Sequence, residues 1–231
     1  MNRQAVNPYL PSWEYIPDGE PHVFNGRVYV YGSHDRFNAP IFCVNDYVCW
    51  SAPVEDLSEW RYEGVIYRKK QDPKNPLGYH LLFAPDVCQG PDGRYYLYYA
   101  FDFLGIMSVA VCDTPAGEYK FLGHIHYADG TLWGRRRGDQ LPFDPGVLVD
   151  DDGRVWLYSG FYNAVPAILT GGHKLRCDGG TVLELEKDMV TIKTEPRVIF
   201  PKKGPGAFQG HEFFEASSIR KEGKTYIFVY S

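Results

Sequence analysis

The strongest constraint on the fold is an internal repeat, because a unit that recurs along a chain has to pack against its own copies. Each copy begins with an acidic residue beside a short apolar strand. It continues through a turn that ends in Gly followed by Arg or Lys, and then enters an aromatic, β-branched strand. The copies begin at Glu20, Asp86, Asp144 and Glu215, at intervals of 66, 58 and 71 residues.

The turns within the repeat predict antiparallel hairpins. Asn25-Gly26, Asp92-Gly93 and Asp152-Gly153 are strong hairpin signals, because Asn, Asp and Gly tolerate the positive φ that tight turns require. The second half of the unit recurs as well, for example in Trp60–Gly64 and Gly117–Gly123. Each unit therefore has the four antiparallel strands of a propeller blade. No long 3.6-residue period occurs, so the predicted fold class is all-β.

The chain is predicted to form one β-propeller domain over residues 1–231. A unit of this length leaves room for about three and a half blades. An open propeller edge would expose unpaired strand groups. We therefore expect a fragment of a longer chain, a truncated reading frame, or an oligomeric partner that covers the edge. The predicted blades span about 18–68, about 80–127, about 142–200, and an incomplete fourth from about 211.

Charge and cysteine content exclude several classes of partner. The net charge of −5 argues against nucleic acid as the main partner, and no stretch is apolar enough to span a membrane.

The five cysteines form no CxxC pair, and Met1–Gln4 has no apolar signal segment, so we expect a cytoplasmic protein with free thiols. Asp150–Asp152 lies in a hairpin turn and is interpreted as turn chemistry, so no metal site is predicted.

Acidic residues at the starts of first strands would meet at one mouth of a propeller channel. The candidates are Asp18, Glu20, Asp86, Asp144 and Glu215. Glycosidic cleavage needs such a meeting, because one carboxylic acid protonates the leaving oxygen while a carboxylate activates water or attacks the sugar. The structural alternative is that these residues cap turns and bind backbone N–H groups.

Six short motifs run from residue 7 to the C-terminus, with at least one in each readable blade. They are Asn7–Pro11, Pro17–Val23, Tyr31–Asp35, Phe83–Asp86, Phe143–Gly146 and Phe214–Ser217. Together these motifs resemble glycoside hydrolase family 43, and as a set they are specific. The resemblance implies a five-bladed propeller that acts on arabinose- and xylose-containing glycans with inversion.

The resemblance also implies a role for each of three carboxylates. Asp18 is similar to the family's general base, Glu215 to its general acid, and Asp144 to the residue that orients the acid and tunes its pKa. The internal repeat offers a rival base, because Glu20-Pro21 superimposes on Asp144-Pro145. Inversion would place the base and the acid about 6.5–9.5 Å apart, with space for a water.

Other side chains are candidates for binding sugar. His34 and Asp35 end the second strand and either bind sugar hydroxyls or serve as a packed His and a turn-capping Asp. Trp50 either floors the pocket or packs between blades. Phe83 stands where the family often has Trp, so sugar stacking there is expected to differ. His211 follows a Gly-rich approach, residues 204–210, and is a candidate pocket residue.

The second blade supplies further candidates. Asp86 is expected to join the acids at the channel mouth and to contact substrate. Phe101 and Phe103 follow a strand end and are predicted to stack on sugar.

The leading hypothesis is an inverting glycosidase that cleaves α-L-arabinofuranosyl or β-D-xylosyl linkages, with a pentose-containing oligosaccharide as its ligand. No cofactor is expected to be required, and the resemblance leaves room for a structural Ca²⁺ in the central channel. One alternative is a non-catalytic carbohydrate-binding or interaction propeller. Another is a related fructan- or sucrose-processing enzyme that retains configuration.

Overall fold

The computed structural model describes residues 7–203 and 208–231, and these residues form antiparallel sheets joined by loops. Two segments used above lie outside the described residues. They are Met1–Gln4, on which the expected location partly depends, and residues 204–207 of the approach to His211.

Three four-stranded sheets and one two-stranded sheet follow one another along the chain. The first comprises β1 (Glu20–Phe24), β2 (Arg27–Tyr31), β3 (Tyr47–Pro53) and β4 (Arg61–Tyr67). The second comprises β5 (Asp86–Gln89), β6 (Tyr95–Ala100), β7 (Met107–Cys112) and β8 (Lys120–His124). The third comprises β9 (Gly146–Val149), β10 (Val155–Ser159), β11 (Gly179–Leu185) and β12 (Arg197–Pro201). The fourth comprises β13 (Ser218–Glu222) and β14 (Thr225–Val229), and one 3₁₀ turn covers Lys69–Gln71.

The all-β prediction and the partial propeller are confirmed. Each strand pairs with its neighbour in chain order, and the first strands of successive sheets contact one another, β1 with β5, β5 with β9 and β9 with β13. The strands lie within the four predicted blade ranges, except that β12 ends at Pro201. No helix among residues 7–203 and 208–231 is long and apolar enough to cross a membrane.

The first hairpin shows why the repeat folds as the sequence predicts. Phe24 pairs with Arg27, so the turn contains only Asn25 and Gly26. Their φ angles are 51° and 76°. Positive φ at both central residues is the geometry whose twist matches paired strands, and Asn-Gly adopts it at little cost. The turn therefore fixes the register of β1 against β2.

The tyrosine-rich strand β6 is buried on both faces because it lies between two neighbouring blades. Its residues alternate between the two interfaces, as the period of a strand requires. Tyr95, Leu97 and Tyr99 pack in the cluster shared with the first blade. Tyr96 and Tyr98 pack in the cluster shared with the third blade. The high tyrosine content thus serves the contacts between blades.

Tyrosine suits these interfaces because its hydroxyl can reach a partner at the rim of a buried ring. Tyr98 donates to the carbonyl of Met189 at 2.9 Å, which joins the second blade to the third. Tyr99 donates to Asp72 Oδ2 at 2.7 Å and lies 2.7 Å from the hydroxyl of Tyr67 in the first blade. Each blade contact therefore combines apolar burial with directional bonds.

Asp86 joins the first strands of three blades. Its Oδ1 accepts the amide of Val87 at 2.7 Å and lies 2.6 Å from His22 Nε2. Its Oδ2 accepts the amide of Val147 at 2.6 Å. The side chain is 1% exposed. A buried carboxylate with this many partners is a structural joint, because losing any partner would leave a buried polar group unsatisfied.

We expect Asp86→Ala to lower the free energy of unfolding by about 3–5 kcal/mol, since it leaves two buried amides unpaired. Asp86→Asn should cost less, because the amide oxygen still accepts one backbone N–H. Urea unfolding followed by circular dichroism measures both. Asp113→Ala, at an exposed position in the same blade, serves as the control. If Asp86→Ala lowers the free energy of unfolding by less than about 1 kcal/mol, Asp86 does not hold the three blades together as described.

Candidate active site

Three predicted carboxylates line one cavity at the end of the channel where the innermost strands begin. The cavity measures about 240 Å³ and contains Asp18, Asp144 and Glu215. Asp18 precedes β1, Asp144 precedes β9, and Glu215 precedes β13. The propeller places these starts around one axis, so residues nearly 200 positions apart in sequence become neighbours. We call this cavity the carboxylate pocket.

A larger cavity of about 730 Å³ lies at the opposite ends of the same strands. It contains residues from β1, β5, β9 and β13, including the last residues of the first three, Phe24, Gln89 and Val149. The only carboxylate among its lining residues is Asp151. Cleavage of a glycoside needs two carboxyl groups. The carboxylate pocket is therefore the candidate site, although it is the smaller cavity.

Phenylalanine side chains form the walls of the carboxylate pocket. Phe103 stacks on Phe143 with ring centres 5.4 Å apart, and Phe83 meets both rings edge-on. Phe161 joins Phe143 to Phe214. These rings exclude water and leave flat apolar faces toward the cavity. Such walls can contact the C–H faces of a sugar ring while the carboxylates contact its polar edge.

Left-handed backbone geometry is concentrated around the pocket. Asp18 has φ 55°, Cys43 φ 57° and Asp144 φ 46°, and Ala216, next to Glu215, has φ 64°. This region is uncommon for residues other than glycine and costs roughly 1–2 kcal/mol per residue. Strain of this kind persists only where surrounding contacts enforce it, and it is often found at functional sites.

Asp144 is the most buried of the three carboxyls, at 7% exposure. Burial raises its pKa well above the usual value, and the neighbouring charge of Glu215 raises it further. The amide of Ala216 donates to Asp144 Oδ2 at 3.3 Å and acts in the opposite direction. This bond ties Asp144 to the segment that carries Glu215, which supports the predicted orienting role.

Glu215 is half-buried, and its pKa is also raised, first by burial and then by the charge of Asp18. The sequence-based expectation attributed this tuning to Asp144. Burial and the charge of Asp18 are the causes of the raised Glu215 pKa, and tuning by Asp144 stays a prediction. A raised pKa keeps Glu215 protonated over more of the pH range, as a general acid requires.

Asp18 and its rival Glu20 occupy different surroundings. Asp18 lines the carboxylate pocket and is exposed, and Ser33 donates to its Oδ2 at 3.1 Å. Glu20 does not line the pocket. Its carboxylate accepts Ser218 Oγ at 2.8 Å and pairs with the guanidinium of Arg220, so it joins the first blade to the fourth. Geometry therefore favours Asp18 over Glu20 as the group that faces substrate.

Two predicted sugar contacts are wrong for this structure. Phe101 is 0% exposed and packs in the core between the first two blades, because it bridges Leu82 and continues the buried face of β6. Asp86 is buried as the joint described above and does not reach the pocket. Phe83 and Phe103 do line the pocket, and their contact with sugar stays a prediction.

Three other candidates lie together in a different place. His34 and Trp50 both bond to Glu14, His34 through Nε2 at 3.0 Å and Trp50 through Nε1 at 2.8 Å. Asp35 accepts the amide of Cys43 at 2.5 Å. None of them lines the carboxylate pocket. His211 is exposed and also lies outside the lining, and its carbonyl accepts the hydroxyl of Tyr230.

Several residues that line the carboxylate pocket were not predicted from the sequence. Phe143 and Phe214 directly precede Asp144 and Glu215, so an aromatic residue before each acid was a usable signal. Cys43 lines the pocket with no such pattern, because it comes from the irregular β2–β3 loop. Burial raises the pKa of the Cys43 thiol to about 12, so this side chain adds no charge to the pocket at neutral pH.

One cluster among the described residues has the side chains of a metal site. Single ligand atoms of Glu20, His22 and Asp86 lie within 4.8 Å of one another. Asp86 already accepts two amides, and Glu20 is paired with Arg220. Ca²⁺ needs six to eight oxygen ligands. The cluster therefore fits Ca²⁺ poorly, and an ion elsewhere in the channel stays a prediction.

A propeller with three carboxylates at one mouth has the architecture that the sequence resemblance implies. The family model described as glycosyl hydrolases family 43 matches residues 17–231. The chain belongs to this family, which confirms the resemblance.

Named relatives agree with this membership. The chain is 60% identical over 235 residues to a xylosidase/arabinosidase of Thermoclostridium stercorarium, covering 100% of this chain and 48% of that protein. It therefore spans about half the length of that relative. It is 32% identical to xylosidase/arabinosidase 43A of Humicola insolens, covering 94% of this chain and 72% of that protein.

Solved structures show the same fold. One is a β-xylosidase/α-arabinofuranosidase from a compost microbial metagenome in complex with xylotriose. It has a TM-score of 0.69 at 26% identity, over 99% of this chain and 73% of that one. Another is an α-L-arabinofuranosidase from Clostridium thermocellum, with a TM-score of 0.62 at 27% identity, over 92% of this chain and 63% of that one.

We expect Asp144→Asn to stabilise the fold at neutral pH. The unfolded Asp144 ionises near its ordinary pKa of 3.8, whereas burial raises the folded pKa, so folding loses stability as pH rises above 3.8. Asn resembles the protonated acid and removes this loss. The expected gain is at least about 1 kcal/mol at pH 7, or a few degrees in Tm, and it should shrink toward zero near pH 4.

Thermal unfolding between pH 4 and pH 8 measures this difference. Asp113→Asn, at an exposed position, provides the matched control and should change Tm little at any pH. An Asp144→Asn variant with lower Tm than the wild type at pH 7 would show that the ionised carboxylate stabilises the pocket.

Proposed function

We propose that this chain carries the catalytic site of an inverting glycosidase that hydrolyses α-L-arabinofuranosyl or β-D-xylosyl linkages. Asp18 is the general base, Glu215 the general acid, and Asp144 orients the segment that carries Glu215. The observation that supports this most directly is the placement of all three carboxyls in one cavity with aromatic walls. The ligand is a pentose-containing oligosaccharide.

The surroundings of the two reacting carboxyls suit their separate tasks. Glu215 is half-buried, so it holds a proton to donate to the glycosidic oxygen as the bond to the anomeric carbon breaks. Asp18 is exposed at the mouth, where it accepts a proton from the attacking water. The water adds to the anomeric carbon on the face opposite the leaving group, which inverts its configuration.

The size of the pocket supports a small sugar at the point of cleavage. The cavity of about 240 Å³ is smaller than the roughly 300–1,000 Å³ of pockets that bind drug-sized ligands. Relatives named xylosidase/arabinosidase and a solved relative in complex with xylotriose support the same class of ligand.

Two further expectations remain proposals. The five cysteines are all free thiols, which supports a cytoplasmic location. An oligomeric partner that covers the open edge is supported by β14, where Tyr226, Ile227 and Val229 are exposed. Sedimentation of the purified chain measures its oligomeric state.

We expect Glu215→Gln and Asp18→Asn to differ in their dependence on the leaving group. Glu215→Gln should lower kcat/KM about 10²–10⁴-fold on xylobiose or arabinobiose, whose leaving oxygens need a proton. The loss should be far smaller on a dinitrophenyl pentoside, whose leaving group departs as an anion. Asp18→Asn should lower both rates by similar factors, because it removes the base that activates water. Steady-state kinetics on the paired substrates measures this.

Glu212→Gln is the matched control, since Glu212 is three residues from Glu215 and does not line the pocket. Equal losses on both substrates for Glu215→Gln would argue against its role as acid. A folded wild-type chain that binds xylotriose and cleaves no pentoside would instead indicate a non-catalytic sugar-binding propeller.

The stereochemical outcome is a separate test. We expect the first product of a nitrophenyl β-xyloside to be α-xylose, because water and the leaving group lie on opposite faces of the ring. Proton NMR of the anomeric signals during the first minutes of hydrolysis distinguishes the two products. Initial formation of β-xylose would show retention and would assign a nucleophilic role to one carboxylate.

A further inference from the structure

A third cavity lies at the first blade. It measures about 410 Å³ and is formed by residues 13–15, by the β2–β3 loop and by β4. Two of the side chains expected from the sequence in the active site, His34 and Asp35, line this cavity instead. We call this cavity the aromatic cleft.

Exposed aromatic rings are the main feature of the cleft. Trp13 is 65% exposed, Phe37 69% and Tyr62 47%. Large aromatic side chains usually contribute to a core or an interface, so a group of them at one exposed cavity marks an interaction surface.

The buried ring of Trp50 supports two of these exposed rings. Trp50, which is 5% exposed, has its ring centre 5.9 Å from that of Trp13 and 5.2 Å from that of Tyr62. Tyr15 and Phe37 lie nearly parallel, with ring centres 6.1 Å apart and planes 22° apart. The aromatic faces are thus fixed before any ligand arrives, which lowers the entropy cost of binding.

The polar groups of the cleft are also fixed. Glu14 accepts the indole N–H of Trp50 at 2.8 Å and contacts His34 Nε2 at 3.0 Å, and its side chain is 4% exposed. His34 Nδ1 lies 2.8 Å from the carbonyl of Asp46. Glu14 Oε1 also accepts the amide of Tyr15 at 3.2 Å, so Glu14 uses its carboxylate mainly to hold the walls of the cleft.

The mixture of groups indicates the chemistry of the ligand. Glu14 and Asp35 disfavour an anion, whereas the guanidinium of Arg36 disfavours a cation. Flat aromatic faces next to donors and acceptors of both charges suit a neutral molecule with C–H faces and many hydroxyls. A purely apolar partner would leave the polar side chains unsatisfied. A carbohydrate has both kinds of surface.

The β2–β3 loop connects the cleft to the carboxylate pocket. His34, Asp35 and Phe37 line the cleft, whereas Phe42 and Cys43, later in the same loop, line the pocket. The bond from the Cys43 amide to Asp35 Oδ1 joins the two sides of this loop at 2.5 Å. The two cavities are therefore separated by the thickness of one loop.

We propose that the aromatic cleft is a second sugar-binding site, which holds a pentose-containing oligosaccharide outside the carboxylate pocket. The class of sugar rests on the proposed function, whereas the existence of the site rests on the cleft alone. Trp13 and Phe37 provide stacking faces, and the partly exposed carboxylate of Asp35 accepts hydrogen bonds from sugar hydroxyls.

The binding test uses the chain with Glu215→Gln, so that added oligosaccharide is not consumed. Xylotetraose and α-1,5-arabinotetraose are titrated separately, and the indole N–H signals of Trp13 and Trp50 are followed by ¹H–¹⁵N NMR. We expect saturable shifts of both signals with one of the two sugars. Trp13→Phe assigns its signal. Trp13→Ala and Phe37→Ala should each weaken binding at the cleft about fivefold to tenfold by calorimetry.

The kinetic test uses native Glu215. Trp13→Ala should raise KM for the tetraose several-fold and leave kcat/KM for a nitrophenyl pentoside unchanged, because the small substrate does not reach the cleft. Tyr79→Ala is the matched control, since Tyr79 is 80% exposed and lies outside both cavities. It should change neither constant.

The outcomes separate the two proposals. If the chain cleaves no pentoside but the indole signals still shift, the cleft stands and the catalytic proposal fails. If pentosides are cleaved while neither tetraose moves the indoles, the cleft proposal fails. If Trp13→Ala and Phe37→Ala change the sedimentation coefficient and not sugar binding, the surface is a protein contact, which also overturns it.

Discussion

The hydrogen bonds of the Asp86 carboxylate are the constraint on which the arrangement of the blades depends. This one side chain contacts β1 through His22, its own strand through Val87, and β9 through Val147. Glu20 makes a comparable link to the fourth sheet. Sheets that only shared apolar faces could slide, because apolar packing has little direction. The charged joints at the axis hold the strand starts at fixed positions, and the pocket is built from those starts.

The pocket uses the same kind of residue for a different purpose. Asp144 and Glu215 occupy positions in the repeat that correspond to Asp86, and each has a raised pKa. Asp86 and Asp144 differ in their hydrogen-bond partners. Two amides and an imidazole neutralise the cost of burying Asp86, whereas Asp144 has one long bond to Ala216. An incompletely satisfied carboxyl favours its proton, and this makes the fold less stable as pH rises.

The fold was largely predictable from the sequence, and the site only in part. The repeat, the Asn25-Gly26 turn and the alternating strands specify blades, because hairpin geometry and strand period are local properties. Asp144 and Glu215 could be found because they recur at one phase of the repeat, whereas Asp18 was assigned through the resemblance, since the repeat alone points to Glu20. Phe101 was misplaced because a strand end does not reveal which way the next side chain points. His34 was misplaced because the path of the long β2–β3 loop depends on contacts with residues 13–15.

The sequence by itself determined an all-β chain of repeated hairpins with an acid at the start of each unit. Only the tertiary structure decided which acids are joints and which face a cavity, because burial and hydrogen-bond partners come from other blades. It also decided that Trp13, Tyr62 and Phe37 meet at one exposed cleft, since they belong to three separate segments of the chain. Short-range patterns fix strands and turns, whereas the surroundings of a side chain depend on residues that are distant in sequence.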